Sequence, residues 1–514
     1  MPEKFALISV SDKSGVVAFA QGLIQHGFQL IASGGTAKAL RKAGLTVIPV
    51  NQWTSCPEIL DGRVKTLHPA IHGGILSRRS PADRAELRGL DWHEIDLVAV
   101  NLYPFEATVA SGAALDEAIE QIDIGGVALL RAAAKNFTHV TPLCDPADYD
   151  AVLKELADKG TVTPETRRRL AIKAFAHTAA YDAAIHAYLM DQAQDQGDET
   201  DEARFPAQRI LPLHKVTDLR YGENPHQRAA LYSAQKDAGP LGGTFIQGNK
   251  PLSYNNLLDL DAAWRAATSF ERPTVAIIKH LSPCGIASAD TLVAAFPPAL
   301  AGDPISAFGS VIAANRPIDA ELVAAIGKLF VEAIIAPAFT PEAQAELARR
   351  KKNCRLVAVP SPRHEPLELR SIDGGVLIQE RDYGDEAAWE VVTERAPTEE
   401  ELASLRFAWR AIAHVKSNAI LFAKGEAAMG IGGGQPSRVD AVKIAAQKAG
   451  ERAQGAVMAS DAFFPFPDGI EVAAEAGVTA VIEPGGSIRD QQVIDAANRL
   501  GLAMVFTGYR HFRH

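Results

Sequence analysis

The first 145 residues repeat a pattern that few architectures accept: an apolar run of strand length, a turn of glycine and small polar residues, then an amphipathic helical stretch. Phe5–Val10 reads as a strand, and Ser11-Asp12-Lys13-Ser14-Gly15 turns it into a helix. Phe28–Ala32 is a second strand, followed by Ser33-Gly34-Gly35-Thr36 and a helix that closes at Gly44. Leu97–Asn101 ends in Leu102-Tyr103-Pro104-Phe105, and Ile122-Asp123-Ile124-Gly125-Gly126 opens a helix reaching Arg131, Lys135 and Asn136. Strands alternating with helices predict an α/β fold with a doubly wound parallel sheet, which holds its ligand at the carboxyl ends of the strands. A glycine-rich turn opening a helix is a phosphate cradle, since the backbone can approach, the N–H groups are unpaired and the dipole favours an anion. Alone, Ser-Gly-Gly-Thr is a turn with an N-cap. Beside the similar Ser11–Lys13 turn it points to a phosphate cradle.

A polar loop, Asp61-Gly62-Arg63-Val64-Lys65-Thr66-Leu67-His68-Pro69, lies between these segments. Arg63 and Lys65 are two apart, so in extended chain they face the same way. Lys135 poses a problem of reach. Nine residues of unbroken helix from Gly126 advance the chain by ~14 Å, so Lys135 meets Asp123 only by a long side-chain reach or a bend where the helix begins.

At 514 residues the chain is too long for one core and predicts two to four domains. With 47% hydrophobic and 22% charged residues it has an ordinary globular composition. No apolar run approaches the ~20 residues of a membrane helix, and the N-terminus has no basic region followed by an apolar core, so a cytoplasmic protein is expected. Cys56, Cys144, Cys284 and Cys354 are scattered, which argues against a disulfide scaffold and offers no zinc spacing. A net charge of −10 argues against a broad nucleic-acid surface and leaves anion binding to local pockets.

Residues 146–190 read as helices, Ala171–Met190 with packing periodicity, and the acidic stretch Asp191–Glu202 reads as a linker. Beyond it, Leu219-Arg220-Tyr221-Gly222 sets an arginine beside an aromatic ring, and Asn255-Asn256 precedes a helix running to about Ser269. Val275–Ile278 is a buried strand ending in Lys279-His280, with Ser282-Pro283 read as a turn and Pro283 and Gly285 as its terminators. A cation and an imidazole on adjacent strand residues share a site only if the strand stops there. The plain alternative is a solvated strand end.

Asp303–Ser310 is a loop in which Gly309 lets the backbone meet a ligand, and Glu332 begins the apolar strand Ala333–Ala336. A subdomain change is expected at Ser371–Leu377. Helix Glu399–Ala413 leads to Lys416-Ser417-Asn418, and the glycine-rich Gly430–Pro436 is read as a tight turn placing Asn418 and Arg438 together. Its spacing does not fit the dinucleotide pattern. Asp461-Ala462-Phe463-Phe464-Pro465-Phe466-Pro467-Asp468 is either a hydrophobic plug or a platform for a flat ring. Gly485-Gly486-Ser487-Ile488 opens a further helix, and Arg510-His511-Phe512-Arg513-His514 ends the chain.

These motifs resemble, from the first strand to the last residue, the bifunctional AICAR formyltransferase/IMP cyclohydrolase family. The resemblance implies a cyclohydrolase domain at 1–200, with a core at 1–145 similar to methylglyoxal synthase and a helical connection at 146–200. It implies a formyltransferase domain at 201–514, a duplicated fold similar to cytidine deaminase but without zinc, with subdomains at about 205–370 and 371–514. Deaminases need His-x-Glu and Pro-Cys-x-x-Cys; here Ala287 follows Pro283-Cys284 in the second cysteine's place, and none of the 14 histidines is followed two residues later by Glu. No convincing sequence repeat is visible.

By the same resemblance Ser11, Asp12, Lys13, Ser33, Gly34, Gly35, Thr36, Arg63, Val64, Lys65, Thr66, Asn101, Leu102, Asp123 and Ile124 contact IMP or formyl-AICAR, while Lys65, Tyr103, Asp123 and Lys135 carry ring closure. Arg220, Tyr221, His280, Gly309, Glu332, Asn418, Arg438, Phe463 and Arg510 bind AICAR. Val439, Phe463, Asp468, Ser487 and Ile488 meet the folate. Lys279, His280 and Asn418 carry formyl transfer. The implied cosubstrate is 10-formyltetrahydrofolate, no zinc is implied, a monovalent cation is left open, and the implied assembly is a homodimer with transferase sites at the interface. Two positions depart from the family pattern: Pro467 stands where many members have arginine, and Glu332 where others have aspartate. A nucleotide-sensing binding protein and a methylglyoxal synthase fused to an unrelated domain are the rival readings; absorbance of protein incubated with AICAR and 10-formyltetrahydrofolate separates them.

Overall fold

The apolar runs of the first unit, Met1–Pro212, form a sheet of five parallel strands: β1 (Lys4–Val10), β2 (Phe28–Ala32), β3 (Ile48–Pro49), β4 (Leu97–Asn101) and β5 (Thr141–Leu143). Their order is β3-β2-β1-β4-β5, so the winding reverses between β1 and β4. Both faces of β1 are covered: Leu7 packs in one cluster, and Ala6 and Ile8 in the other. That double burial is why these strands read as continuous apolar runs rather than alternating ones. The computed structural model describes residues 3–195, 205–234, 238–362, 366–382 and 389–514.

Helix Pro164–Asp195 covers one face, burying Ala171, Ala174 and Tyr181. It extends through Asp195, so the first five residues of the expected linker are helical, while 196–202 lie outside the described residues. The units part between Pro212 and Leu213, not at residue 200.

The second unit, Leu213–His514, begins with the pair β6 (His214–Asp218) and β7 (Ala230–Ser233). The strands of its first half are β8 (Thr244–Gln247), β9 (Thr274–Lys279), β10 (Ser282–Ser288), β11 (Ser310–Ala314), β12 (Val331–Ala336) and β13 (Arg355–Ala358). A separate hairpin, β14 (Leu367–Ile372) with β15 (Gly375–Glu380), occupies the expected subdomain change. The second half supplies β16 (Glu390–Val391), β17 (Ile420–Lys424), β18 (Ala427–Gly432), β19 (Val457–Ser460), β20 (Ala480–Glu483) and β21 (Ala503–Phe506).

Twelve of these strands make one sheet, ordered β16-β21-β20-β19-β17-β18-β10-β9-β11-β12-β13-β8. Read outward from the centre, each half repeats the same series: a hairpin (β9–β10, β17–β18), then three parallel strands (β11–β13, β19–β21). The halves join where β10 pairs antiparallel with β18 at Ala287 and Ala427. Helices Tyr254–Thr268 and Glu399–Ile412 share one core cluster, burying Trp264 and Trp409.

Strand polarity fixes where the chemistry lies. β9 ends at Lys279; β10 runs back, β18 runs forward beside it, and β17 runs back from Asn418. β19 is antiparallel to β17, with β20 and β21 parallel to it, so they end at Ser460, Glu483 and Phe506 on the edge that carries Lys279. The start of β17 lies two to three interstrand spacings from the β9–β10 tip, roughly 10–15 Å. One edge of one sheet therefore carries His280, Asn418 and the loops after β19 and β21.

Candidate functional site

In the first unit three strand-end loops meet at the switch point. Asn101, at the end of β4, accepts the Ser11 and Asp12 N–H groups on Oδ1 and donates Nδ2 to the Asp12 carbonyl at 2.9 Å. The Thr36 hydroxyl accepts the Val10 N–H and donates to the Val10 carbonyl, both at 3.1 Å, which ties the loop after β2 to the end of β1. Ser9 and Ser33 bond at 3.0 Å. Thr36 is buried and its hydroxyl is committed to β1, so it shapes the cradle rather than offering a free ligand group.

Two ammonium groups flank the glycines. A Cβ on Gly34 would lie 3.6 Å from Lys65 Nζ, and one on Gly35 4.0 Å from Lys13 Nζ. Burial holds the Lys13 amine below its ordinary pKa, opposed by the neighbouring Asp12 charge. Thr66 Oγ1 lies against Gly125, where a Cβ would come within 2.8 Å of it. Asp123 caps the helix Gly125–Lys135 by accepting the Gly126 N–H at 2.7 Å. Burial raises the Asp123 carboxyl pKa, while the Gly126 and Tyr103 backbone N–H groups act in the other direction.

Several expected members stand elsewhere. Arg63 has helical backbone angles rather than extended ones and pairs with Glu120, whereas Lys65 faces Glu58 at 3.9 Å. Val64 bridges back to Ile59, and the Leu102 side chain is in the core. Ile124 and Tyr103 are exposed at the rim. The helix Gly125–Lys135 is unbroken and ends at Lys135. Ten steps of ~1.5 Å put the two ends ~15 Å apart, so the long reach expected of Lys135 is along a helix with no bend to shorten it. Sequence reading missed Tyr181, whose hydroxyl accepts the Asp123 N–H and donates to the Gln121 carbonyl, both at 2.9 Å. It lies on a helix whose pattern signals only packing.

In the second unit the expected residues fall into two groups. The first surrounds the tip of β9–β10. The chain reverses at His280-Leu281, a two-residue loop with φ of 54° and 62°, because Lys279 pairs with Ser282. Ser282-Pro283 is therefore strand and not the expected turn, and a register shift between Pro283 and Gly285 accommodates the proline. Lys279 Nζ donates to the Phe308 carbonyl at 2.8 Å, and the Gly309 N–H donates to the Phe330 carbonyl at 2.8 Å. Glu332 pairs with the buried Arg355, which also reaches the Pro251 carbonyl at 3.3 Å. Arg220 lies over the Tyr221 ring at 5.2 Å, and its N–H reaches the Leu252 carbonyl at 3.5 Å. A cavity of about 300 Å³ opens beside Lys279 and His280, and an Asp303–Lys448 ion pair at 2.9 Å also lines it.

The second group lines a cavity of about 510 Å³ that takes in Asn418, Arg438, Val439, Phe463, Asp468 and Arg510. The turn after β18 brings Arg438 to Asn418: Nη2 donates to Asn418 Oδ1 at 2.6 Å, while Nη1 donates to Ser460 Oγ at 2.8 Å and Asp461 Oδ1 at 2.5 Å. Asn418 Nδ2 donates to the Gln435 and Pro436 carbonyls at 3.0 Å. Asp461 is fully buried, a functional neighbour that sequence reading took only as part of an aromatic loop. Ser487 and Ile488 are not on the cavity wall. Their neighbour Arg489 stacks at 4.3 Å on Phe466, which is.

Glu483 closes β20 beneath this wall. It is fully buried, accepts the Phe464 N–H at 2.7 Å, and burial pushes its carboxyl up to about 8. A folded-state pKa above the unfolded value means a contribution to stability that is complete below about 4.5 and lost as pH climbs towards 8. Glu483→Gln is therefore expected to match the parent's thermal midpoint near pH 5 and exceed it near pH 9. Parallel midpoint curves between those pH values would refute the assignment.

Fold and sites together define a two-unit α/β protein, with a glycine turn between two lysines in one unit and a duplicated sheet bearing a Lys-His edge in the other. Among the described residues no three His, Cys, Asp or Glu side chains cluster as a metal site, and no helix is long and apolar enough to cross a membrane. Residues 133–448 match the AICARFT/IMPCHase bienzyme family and residues 15–128 the MGS-like domain. A bifunctional purine biosynthesis protein PurH of Myxococcus xanthus is 53% identical over 99% of this chain and 100% of its own. That of Desulfitobacterium hafniense is 52% identical over 99% of each. A crystal structure of ForH is 40% identical over 36% of this chain and 98% of its own, with a TM-score of 0.33. The chain belongs to the AICARFT/IMPCHase bienzyme family. It is thus a bifunctional enzyme of purine biosynthesis, pairing a formyltransferase with an IMP cyclohydrolase.

Proposed function

We propose that residues 201–514 transfer the formyl group of 10-formyltetrahydrofolate to the 5-amino group of AICAR, and that residues 1–200 close formyl-AICAR to IMP with loss of water. The observation that carries the reading is the meeting of Asn418, Arg438, Val439, Phe463, Asp468 and Arg510 around one cavity, on the sheet edge that carries Lys279 and His280.

The amine lone pair is delocalised into the imidazole ring, so its proton must leave as nitrogen attacks the formyl carbon. His280 takes that proton as general base. Lys279 stabilises the oxyanion and then protonates the departing folate nitrogen. Asn418, held by Arg438, orients the carboxamide. Arg220, Tyr221 and Arg510 suit the phosphate and ring of AICAR; the aromatic wall at Phe463 suits the pterin.

In ring closure Asp123 accepts the carboxamide proton as nitrogen attacks the formyl carbon, and its raised pKa fits that role. Lys65, beside the cradle, and Lys135 stabilise the developing oxyanion, which leaves as water on one proton returned by Asp123 and one from Tyr103, and the formamide N–H restores the Tyr103 proton as the ring double bond forms.

A second copy of the chain completes the transferase site in this reading, in a cytoplasmic homodimer. Exposed apolar side chains at Ile305, Phe308 and Ile488, around the candidate residues, support it. No role is assigned to a monovalent cation.

Incubating the protein with AICAR and 10-formyltetrahydrofolate should yield IMP. Asp123→Asn should slow cyclisation by roughly 10²–10⁴, letting formyl-AICAR accumulate at an unchanged transfer rate. Absence of nucleotide product, or equal slowing of both steps, overturns the reading.

A further inference from the structure

We propose that Asp259 is a positioning residue for formyl transfer, gripping the hairpin tip that presents His280. The inference rests on the reading of His280 as the base. Asp259 lies on helix Tyr254–Thr268, twenty-one residues before His280. Its Oδ1 accepts the Leu281 N–H at 2.7 Å and its Oδ2 the His280 N–H at 3.3 Å.

A two-residue hairpin loop leaves both central N–H groups outside the ladder, and those of His280 and Leu281 converge on this one carboxylate. The loop needs left-handed backbone at both central positions, which favours Asn-Gly. Here both are occupied by side-chain-bearing residues, His280 and Leu281, at φ of 54° and 62°. Such conformations persist when the surroundings over-determine them, and they cluster at functional sites. The carboxylate is the part of those surroundings that bonds the tip directly. Burial raises its pKa, and the Leu281 and His280 N–H groups oppose that rise, as expected of an acceptor aimed at two donors.

The consequence is a division of tasks at the tip. Lys279 is held through its ammonium by Phe308, whereas His280 is exposed and held through its backbone by Asp259. Without the carboxylate the tip can relax towards turns that tolerate Leu281, carrying the imidazole away from the amine. Reacting groups displaced by about 1 Å lose roughly 10²-fold in rate.

The test uses the full-length protein with saturating AICAR and 10-formyltetrahydrofolate, beside AICAR binding and the cyclisation rate of each preparation. Asp259→Ala is expected to lower transfer kcat by about 10²-fold, leaving AICAR affinity and cyclisation near the parent's. Adding Leu281→Gly, which accepts a left-handed conformation freely, should recover at least about tenfold of the loss. A parent-like kcat in Asp259→Ala overturns the inference. So does a loss that Leu281→Gly leaves untouched, because a purely electrostatic role gains nothing from a glycine. Should Asp259→Ala not fold, Asp259→Asn with and without Leu281→Gly carries the same comparison; Asn keeps one acceptor and puts an amide N–H against the other donor. His280→Ala separates the two readings: if it too retains transfer, His280 is not the base and the inference falls with it. An inactive His280→Ala beside an active Asp259→Ala refutes the inference alone.

Discussion

His280→Ala should lower formyl-transfer kcat by roughly 10²–10⁴, the usual contribution of a general base, while sparing ring closure of supplied formyl-AICAR. His280 is exposed at the tip of β9–β10 and packs in no core cluster, so the fold should survive the loss of its ring. Lys279 cannot take over as base while its ammonium is donating to the Phe308 carbonyl. The measurement is transfer kcat beside AICAR binding and cyclisation on one preparation. A fall of less than about tenfold would show that His280 is not the base. Lost binding with kcat held would make it a substrate clamp.

Arg438→Met should have a second large effect, on stability as well as transfer. Asp461 is fully buried and Arg438 nearly so, and the guanidinium is the cation bonded to that carboxylate. Breaking a buried pair from one side typically costs ~3–5 kcal/mol, because a charge is left in low dielectric. Asn418 loses its 2.6 Å donor in the same step. The thermal midpoint should therefore fall by several degrees and transfer should cease. Adding Asp461→Asn removes the stranded charge, so the midpoint should recover in part while transfer does not. Equal recovery of both would make Arg438 only a structural cation, and no recovery of the midpoint would discount the buried charge.

What the sequence disclosed follows from how local each signal is. The strands of the first sheet were legible because residues buried on both faces leave unbroken apolar runs, as in Leu97–Asn101. The approach of Asn418 to Arg438 was legible from the glycine run, although Gly430–Gly432 of the expected turn belong to strand β18. β10 was hidden by punctuation: Pro283 and Gly285 look like terminators, yet the proline sits at a bulge and the glycine meets a helix. A Cβ on Gly285 would lie 1.9 Å from the Ala299 carbonyl oxygen. Asp259, Asp461 and Tyr181 were illegible as site residues because each acts through a contact far along the chain, with no spacing rule to announce it. The duplication was illegible too, since strand order can repeat with no residue repeating.

The paired halves allow a comparison within one molecule. Both central hairpins use a two-residue loop after a lysine: Lys279-His280-Leu281-Ser282 in one copy, Lys424-Gly425-Glu426-Ala427 in the other. In the second copy Gly425 supplies the left-handed backbone, at φ 58°, and Glu426 needs none. In the first, two side-chain-bearing residues hold it, at roughly 1–2 kcal/mol each. The same two-residue bend is thus relaxed where it only turns the chain and tense where it carries an imidazole.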